Sequence, residues 1–260
     1  MKYKSWLISI MVGIVLGGIL YTTGLFRDII AFLPVKAAST SDEILNTILI
    51  SHTKWTTLQG DAQFTWYGSD GSTQIYNNKF AIAQPASAYI DITNLSQSGK
   101  NDGIWVSNGK AIYNLNKEAK TYQSQIISAS TLDLSMLPKD LSQVQPNIVY
   151  IHPMALHVGA PIMEDIYSSW FAQKSPTDTY VFKGTDKILD RDVWVIDDQE
   201  ANGDSDTVWV DQATGIILQD HQIIDGKLFL DMKMTDLQVD APVNNSLFVL
   251  PAGYSLANPQ

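Results

Sequence analysis

The chain of 260 residues contains no cysteine. That removes disulfide frameworks, thiolate metal sites, cysteine nucleophiles and lipid attachment through a lipobox. Histidine is scarce, with only His52, His152, His157 and His221. His152 and His157 stand five apart with Pro153 between them, whereas two imidazoles share a helix face for zinc at a spacing of four. No other paired spacing supplies the remaining ligands of a closed zinc site, so all four histidines are expected in ordinary loop or surface positions. A Gly-x-Ser-x-Gly elbow is missing, as is a Ser-x-x-Lys in a suitable context. Glycine-rich phosphate loops are missing too, since "GKNDG" and "GSDG" have the composition of turns. The chain is therefore expected to be no enzyme, a hydrolase being a distant alternative, with no metal and no cofactor.

Positive charge is also in short supply, with 17 Lys and Arg against 27 Asp and Glu. Residues 1–37 hold four of the basic side chains and one of the acidic, so the rest carries a net charge of −13. Such a surface repels phosphate backbones, which excludes nucleic acid as a partner. Anionic headgroups repel it in the same way.

Apolar residues, by contrast, are plentiful: 45% hydrophobic and 10% aromatic, enough for a sizeable core. Seven Trp and eleven Tyr among many Val, Ile and Thr favour sheet. The chain opens "MKYKSWLISIMVGIVLGGILYTTGLF", uncharged from Ser5 to Phe26 and long enough to cross a hydrocarbon core of roughly 30 Å. Lys2 and Lys4 ahead of it place the N-terminus in the cytoplasm and everything after it outside. A secretory signal peptide is the competing reading, with Val35, Lys36 and Ala37 as a cleavage site before Ala38. The length of the apolar stretch, and Arg27 and Asp28 behind it, favour an uncleaved anchor. Either way the remainder is expected to be exported: a single-pass membrane protein with its domain outside the cytoplasm, or a secreted one. The expected division is an anchor or signal peptide over 1–37 and one domain over 38–260.

In "TSDEILNTILISH", Thr40 and Glu43 stand at capping-box spacing, and Ile44, Leu45, Ile48 and Leu49 form one apolar face, so a helix is predicted over 42–53. A hairpin follows, with Ala62, Phe64 and Trp66 alternating with polar residues, a turn at Gly68–Gly71, and Phe80 and Ile82 on the return. Ala88, Ile90 and Ile92 share a face of the next strand. Asn108-Gly109 lies between two alternating runs and predicts a type I′ turn. Over 128–160 the pattern breaks into short helical pieces separated by Pro138, Pro146 and Pro153. Pro161 suits a first helical turn, and Met163, Ile166, Tyr167, Trp170 and Phe171 fall on one side of the helix it predicts. From 177 onward strands return, with a two-residue turn at Asp225-Gly226. Many strands joined by short turns, with few helices, imply an α+β, mainly β fold: an antiparallel sheet with helices on one face.

Two acidic features invite a functional reading. The stretch "DDQEANGDSD" (197–206) lacks the ligand order and closing Glu of an EF-hand, and reads as a solvated hairpin tip. In "TVWVDQATGIILQD" (207–220), Asp211 ends a strand and is expected to hold the turn to Gly215 by accepting backbone N–H bonds. The candidate site is instead apolar. Phe64, Trp66, Phe80, Ile90, Ile92, Leu230, Met232 and Met234 point inward from the sheet, and Met163, Trp170 and Phe171 line the helix above. Thioether side chains suit a cavity that adapts to flexible acyl chains; the competing reading is that these residues pack as ordinary core.

Four stretches resemble, in order, the hairpins of the LolA/LolB-like lipoprotein carriers and the related RseB/MucB sigma-E regulators. They are "GIWVSNGKAIYNLNKEAKTY", "FKGTDKILDRDVWVI", "VWVDQATGIILQ" and "SLFVLPAGY". With the opening helix they cover about residues 40 to 255. Asp190 departs from the pattern, standing where the family usually has Gly. The resemblance implies a half-open antiparallel β-barrel whose concave apolar face is covered by helices and which needs no catalytic residue. It implies lipid or lipoprotein acyl chains as ligand and, in the regulator branch, a membrane regulatory protein as partner.

Overall fold

A computed structural model describes residues 41–128, 132–145, 148–172 and 179–257. The predicted N-terminal apolar span lies outside the described residues. Among the described residues no helix is long and apolar enough to cross a membrane.

Among the described residues, twelve strands form one sheet. They are β1 (Thr57–Tyr67), β2 (Thr73–Ala83), β3 (Ser87–Asn94), β4 (Gly103–Asn108), β5 (Ala111–Asn116), β6 (Thr121–Ile126), β7 (Thr179–Ile188), β8 (Arg191–Gln199), β9 (Ser205–Asp211), β10 (Ile217–Ile224), β11 (Lys227–Val239) and β12 (Ser255–Leu256). Their spatial order is β12-β6-β5-β4-β3-β2-β1-β11-β10-β9-β8-β7. Two antiparallel meanders, β1–β6 and β7–β11, therefore meet where β1 pairs with β11. Only β12 runs parallel to its neighbour β6. The sheet does not close, since β12 and β7 remain its two edges.

Among the described residues the helices are few and short: α1 (Ser41–Leu49), α2 (Pro153–His157) and α3 (Ile162–Ile166), with 3₁₀ turns between. Alternation along each strand gives the sheet one apolar inner face. On that face Ile44, Leu45, Ile48 and Leu49 of α1 and Ile162, Met163 and Ile166 of α3 join strand residues in one buried cluster. A smaller cluster of Ile104, Val106 and Leu115 lies on the opposite face, against Leu250 and Tyr254.

Local chemistry accounts for the turns, with three corrections to the sequence-based expectations. First, α1 stops at Leu49 and continues only as a 3₁₀ turn over Ser51–Thr53, because Thr53 N–H bonds back to the Ile50 carbonyl, three residues earlier. Second, the corner at Asn108-Gly109 is not type I′. Only Gly109 has positive φ, at 79°, because the Asn108 side chain accepts from the N–H groups of Lys110 and Ala111 and holds the corner itself. Asp225-Gly226, with φ of 52° and 70°, has both residues left-handed. Third, the helix after Pro161 breaks at Tyr167, whose ψ of 54° is non-helical, as its ring leaves to stack on His152. A 3₁₀ turn over Ser168–Trp170 follows.

Candidate functional site

Sheet register brings the predicted site residues together in rows across the inner face. Phe64 pairs with Met232, Ala62 with Met234 and Trp66 with Leu230, while Phe80 pairs with Ile90 and Asn78 with Ile92. Directly paired residues point to the same face. Phe64, Phe80, Ile90, Met163, Phe171, Leu230, Met232 and Met234 are all buried in one contiguous cluster; Trp66, Ile92 and Trp170 are partly buried against it. Trp66 lies at the rim, where its ring meets Phe229 edge-on at 5.3 Å. The Trp170 indole N–H donates to the Glu164 carbonyl at 3.0 Å, which ties the 3₁₀ turn to α3.

Within this face lies a polar side chain that alternation alone did not single out. Asn78 is 1% exposed, and neither its Nδ2 nor its Oδ1 has a hydrogen-bond partner. Its neighbours across the ladder are Ala62 and Ile92.

A second group missed by the sequence reading is an acidic cluster at the β9–β10 side. Asp220 lies beside Met232 and Val208 in the inner row, and Asp165 reaches it from α3, which packs on β10. Both are buried. Asp206 hydrogen-bonds to Asp220, and Gln222 Nε2 donates to Asp220 at 2.9 Å. Burial, then the charges of Asp220 and Glu164, holds the Asp165 carboxyl well above the usual carboxylate range. Burial and the charge of Asp220 do the same to Asp206. Asp220 is also raised by burial, against the hydrogen bonds from Asp206 and Gln222. The stretch 197–206 is thus not simply a solvated tip. Asp197 is buried too, paired with Lys183 at 3.2 Å and bonded by Gln199 and Thr207. The strands run further into the stretch than its composition suggests, so only its middle is exposed. Among the described residues no cluster of His, Asp and Glu has the arrangement to hold a metal ion.

His152 also departs from expectation: it is buried, its ring stacked on Tyr167 at 3.9 Å and tilted against His52 at 5.4 Å. A narrow cleft beside them is lined by Ser51 and Ser168, an arrangement that invites a serine–histidine reading. The protonation pattern decides against it. His152 Nδ1 caps α2 by accepting from the Met154 N–H at 3.2 Å, so in the neutral ring Nε2 carries the hydrogen and cannot take a proton from a serine hydroxyl. Burial and the neighbouring His52 push His152 down to about 3, which keeps it neutral.

Asp211 is a structural residue. It is 1% exposed and accepts a bidentate pair from Arg191, Nε and Nη2 each at 2.9 Å. The Thr214 N–H (2.9 Å) and hydroxyl also bond to it. The turn it holds carries Gly215 at φ 76°, where a Cβ would stand 2.3 Å from the Thr47 carbonyl oxygen of α1. Glycine is what lets this hairpin touch the helix.

No protein-family model and no curated protein matches the chain. Solved structures do. An uncharacterised conserved protein from Thermus thermophilus is 10% identical with a TM-score of 0.47, covering 84% of this chain and 99% of that one. MucB in complex with MucA is 12% identical with a TM-score of 0.46, covering 85% of this chain. This chain spans 63% of MucB's length. A putative outer membrane lipoprotein-sorting protein domain from Vibrio parahaemolyticus is 11% identical with a TM-score of 0.31, covering 80% of this chain and 97% of that one.

Proposed function

We propose that the protein is an exported, non-catalytic binding protein that takes lipid or lipoprotein acyl chains between the inner face of its sheet and the helices above. Residues 1–37 tether it to the cell membrane, with the domain on the extracytoplasmic side. The observation that carries this reading is the nature of the cover. No second sheet lies on the inner face among the described residues; a nine-residue helix, two helices of five residues and their connections lie there instead. Such pieces can part from the sheet without breaking any strand pairing. The face they would uncover is lined by Met232, Met234, Phe64, Phe80 and Ile90. Each methylene moved from water into this site contributes roughly 0.8 kcal/mol, so a long acyl chain supplies enough to hold the cover apart.

Native mass spectrometry of the purified full chain, with uptake of a fluorescent fatty acid, tests the proposal. A copurifying lipid, or saturable uptake, is expected. Absence of both would overturn it. The second reading, a regulator that binds another protein, is favoured by the open sheet edge at β7 and by Ile126, 86% exposed at the end of β6. Open edges accept an added strand.

A further inference from the structure

The inner face contains one feature that an apolar core does not need. Asn78 stands mid-strand in the row Met234–Ala62–Asn78–Ile92, between Tyr76 and Phe80 on its own strand. It is 1% exposed, and both ends of its amide lack a partner. A leucine there would share the branched shape, though it is bulkier, and would avoid stranding a donor and an acceptor in an apolar setting, which is costly. Ala62 beside it is the smallest side chain of the row and is itself buried, so only the amide interrupts an otherwise apolar row.

We propose that Asn78 is the polar anchor of the acyl-chain site and selects chains that end in a group bearing a carbonyl oxygen next to an N–H or O–H. This rests on the binding reading above. Nδ2 donates to the carbonyl oxygen while Oδ1 accepts from the adjacent donor, so both orphaned atoms are satisfied at once. An amide or an un-ionised carboxylic acid fits this pairing. An ester satisfies only Nδ2, and a hydrocarbon satisfies neither atom. A site built around buried polar groups rejects analogues that leave them unpaired.

The experiment uses four probes on one fluorescent polyene chain, titrated into the full-length protein: the amide, the free acid, the methyl ester and the parent hydrocarbon. The wild-type protein is expected to bind the amide ~10-fold tighter than the ester, one neutral hydrogen bond being worth about a factor of ten at most, and the hydrocarbon weakest. In Asn78→Leu the amide and ester are expected to bind equally, with a melting temperature no lower than wild type. Asn78→Val serves as a smaller substitute should Leu disturb folding. Binding of the free acid that weakens as it ionises, while the amide is unaffected, identifies the un-ionised acid as a second member of the class; binding of the acid that is indifferent to pH counts against the pairing. Equal affinities for amide and ester in wild type, or a preference that survives in Asn78→Leu, would overturn the proposal while leaving the binding reading intact. Failure of all four probes would overturn both.

Discussion

At Asp211 two structural roles converge on one carboxylate: it closes a turn and it pairs with Arg191. The first was legible in the sequence, because Asp followed by Gln-Ala-Thr-Gly is turn chemistry that depends on neighbouring residues alone. The second was not, because Arg191 is twenty positions away and meets Asp211 only through the β8–β9 register, in which Val193 pairs with Asp211. Removing one partner of a largely buried, bidentate pair leaves the other charge uncompensated. Asp211→Asn is therefore expected to destabilise the fold by about 3 kcal/mol, measured by urea unfolding. It should leave acyl-probe affinity in the folded protein unchanged. A loss of affinity with unchanged stability would return Asp211 to the list of functional residues.

Strands and turns were the most legible elements, for the same local reason. Alternation marked β1, β2, β3 and β11 and identified which of their residues face inward, and Asp225-Gly226 adopts the left-handed pair its composition implied. The helical region was less legible. Short pieces such as α2 and α3 carry too few turns for periodicity, and Tyr167 leaves the helix for a ring contact with a residue fifteen positions earlier. The β7–β8 corner shows a local compromise. Asp190 at φ 59° behaves as an Asp can, but Leu189 beside it also sits at φ 53°, a conformation that costs a branched L-residue roughly 1–2 kcal/mol. Leu189 is 38% exposed, so little packing is lost by replacing it. Leu189→Asn is expected to stabilise the protein by about 1 kcal/mol, read as a raised denaturation midpoint with unchanged slope. A lowered midpoint would show that the leucine contributes more by contact than it costs in backbone strain.

At the scale of the whole molecule, the chain is acidic and yet buries carboxylates against each other. Asp165, Asp206 and Asp220 come from α3, β9 and β10, and burial raises all three. A carboxyl raised on folding favours the folded state fully below its unfolded value of about 3.9, and that contribution is lost as pH rises through the folded value. The opposite set is represented by Asp240, which accepts from Thr56 and Thr57 and is lowered by those bonds. Its contribution is present above the unfolded value and is lost as pH falls. Together they predict greatest stability in mild acid rather than at neutral pH. The melting temperature should be higher at about pH 5 than at about pH 8, because the contribution of the raised carboxyls declines as pH rises above their unfolded value. Asp206→Asn should raise it more at the higher of these pH values than at the lower. Equal gains at both would mean that the cluster does not titrate in this window.

The sequence by itself determined an acidic, mainly β chain that lacks the Gly-x-Ser-x-Gly and paired-histidine motifs, and it named an apolar face. Those properties follow from composition, from alternation with a period of two, and from turn chemistry, all of which act over a few residues. Tertiary structure alone decided that β1 joins the two meanders, that Asn78 is stranded between Ala62 and Ile92, and that Asp165 reaches Asp206 and Asp220. It also decided that His152 lies beside Ser168 with its acceptor nitrogen already engaged. Each of these depends on strand register or on which helix packs where, and a shift of one residue would turn every side chain concerned to the other face.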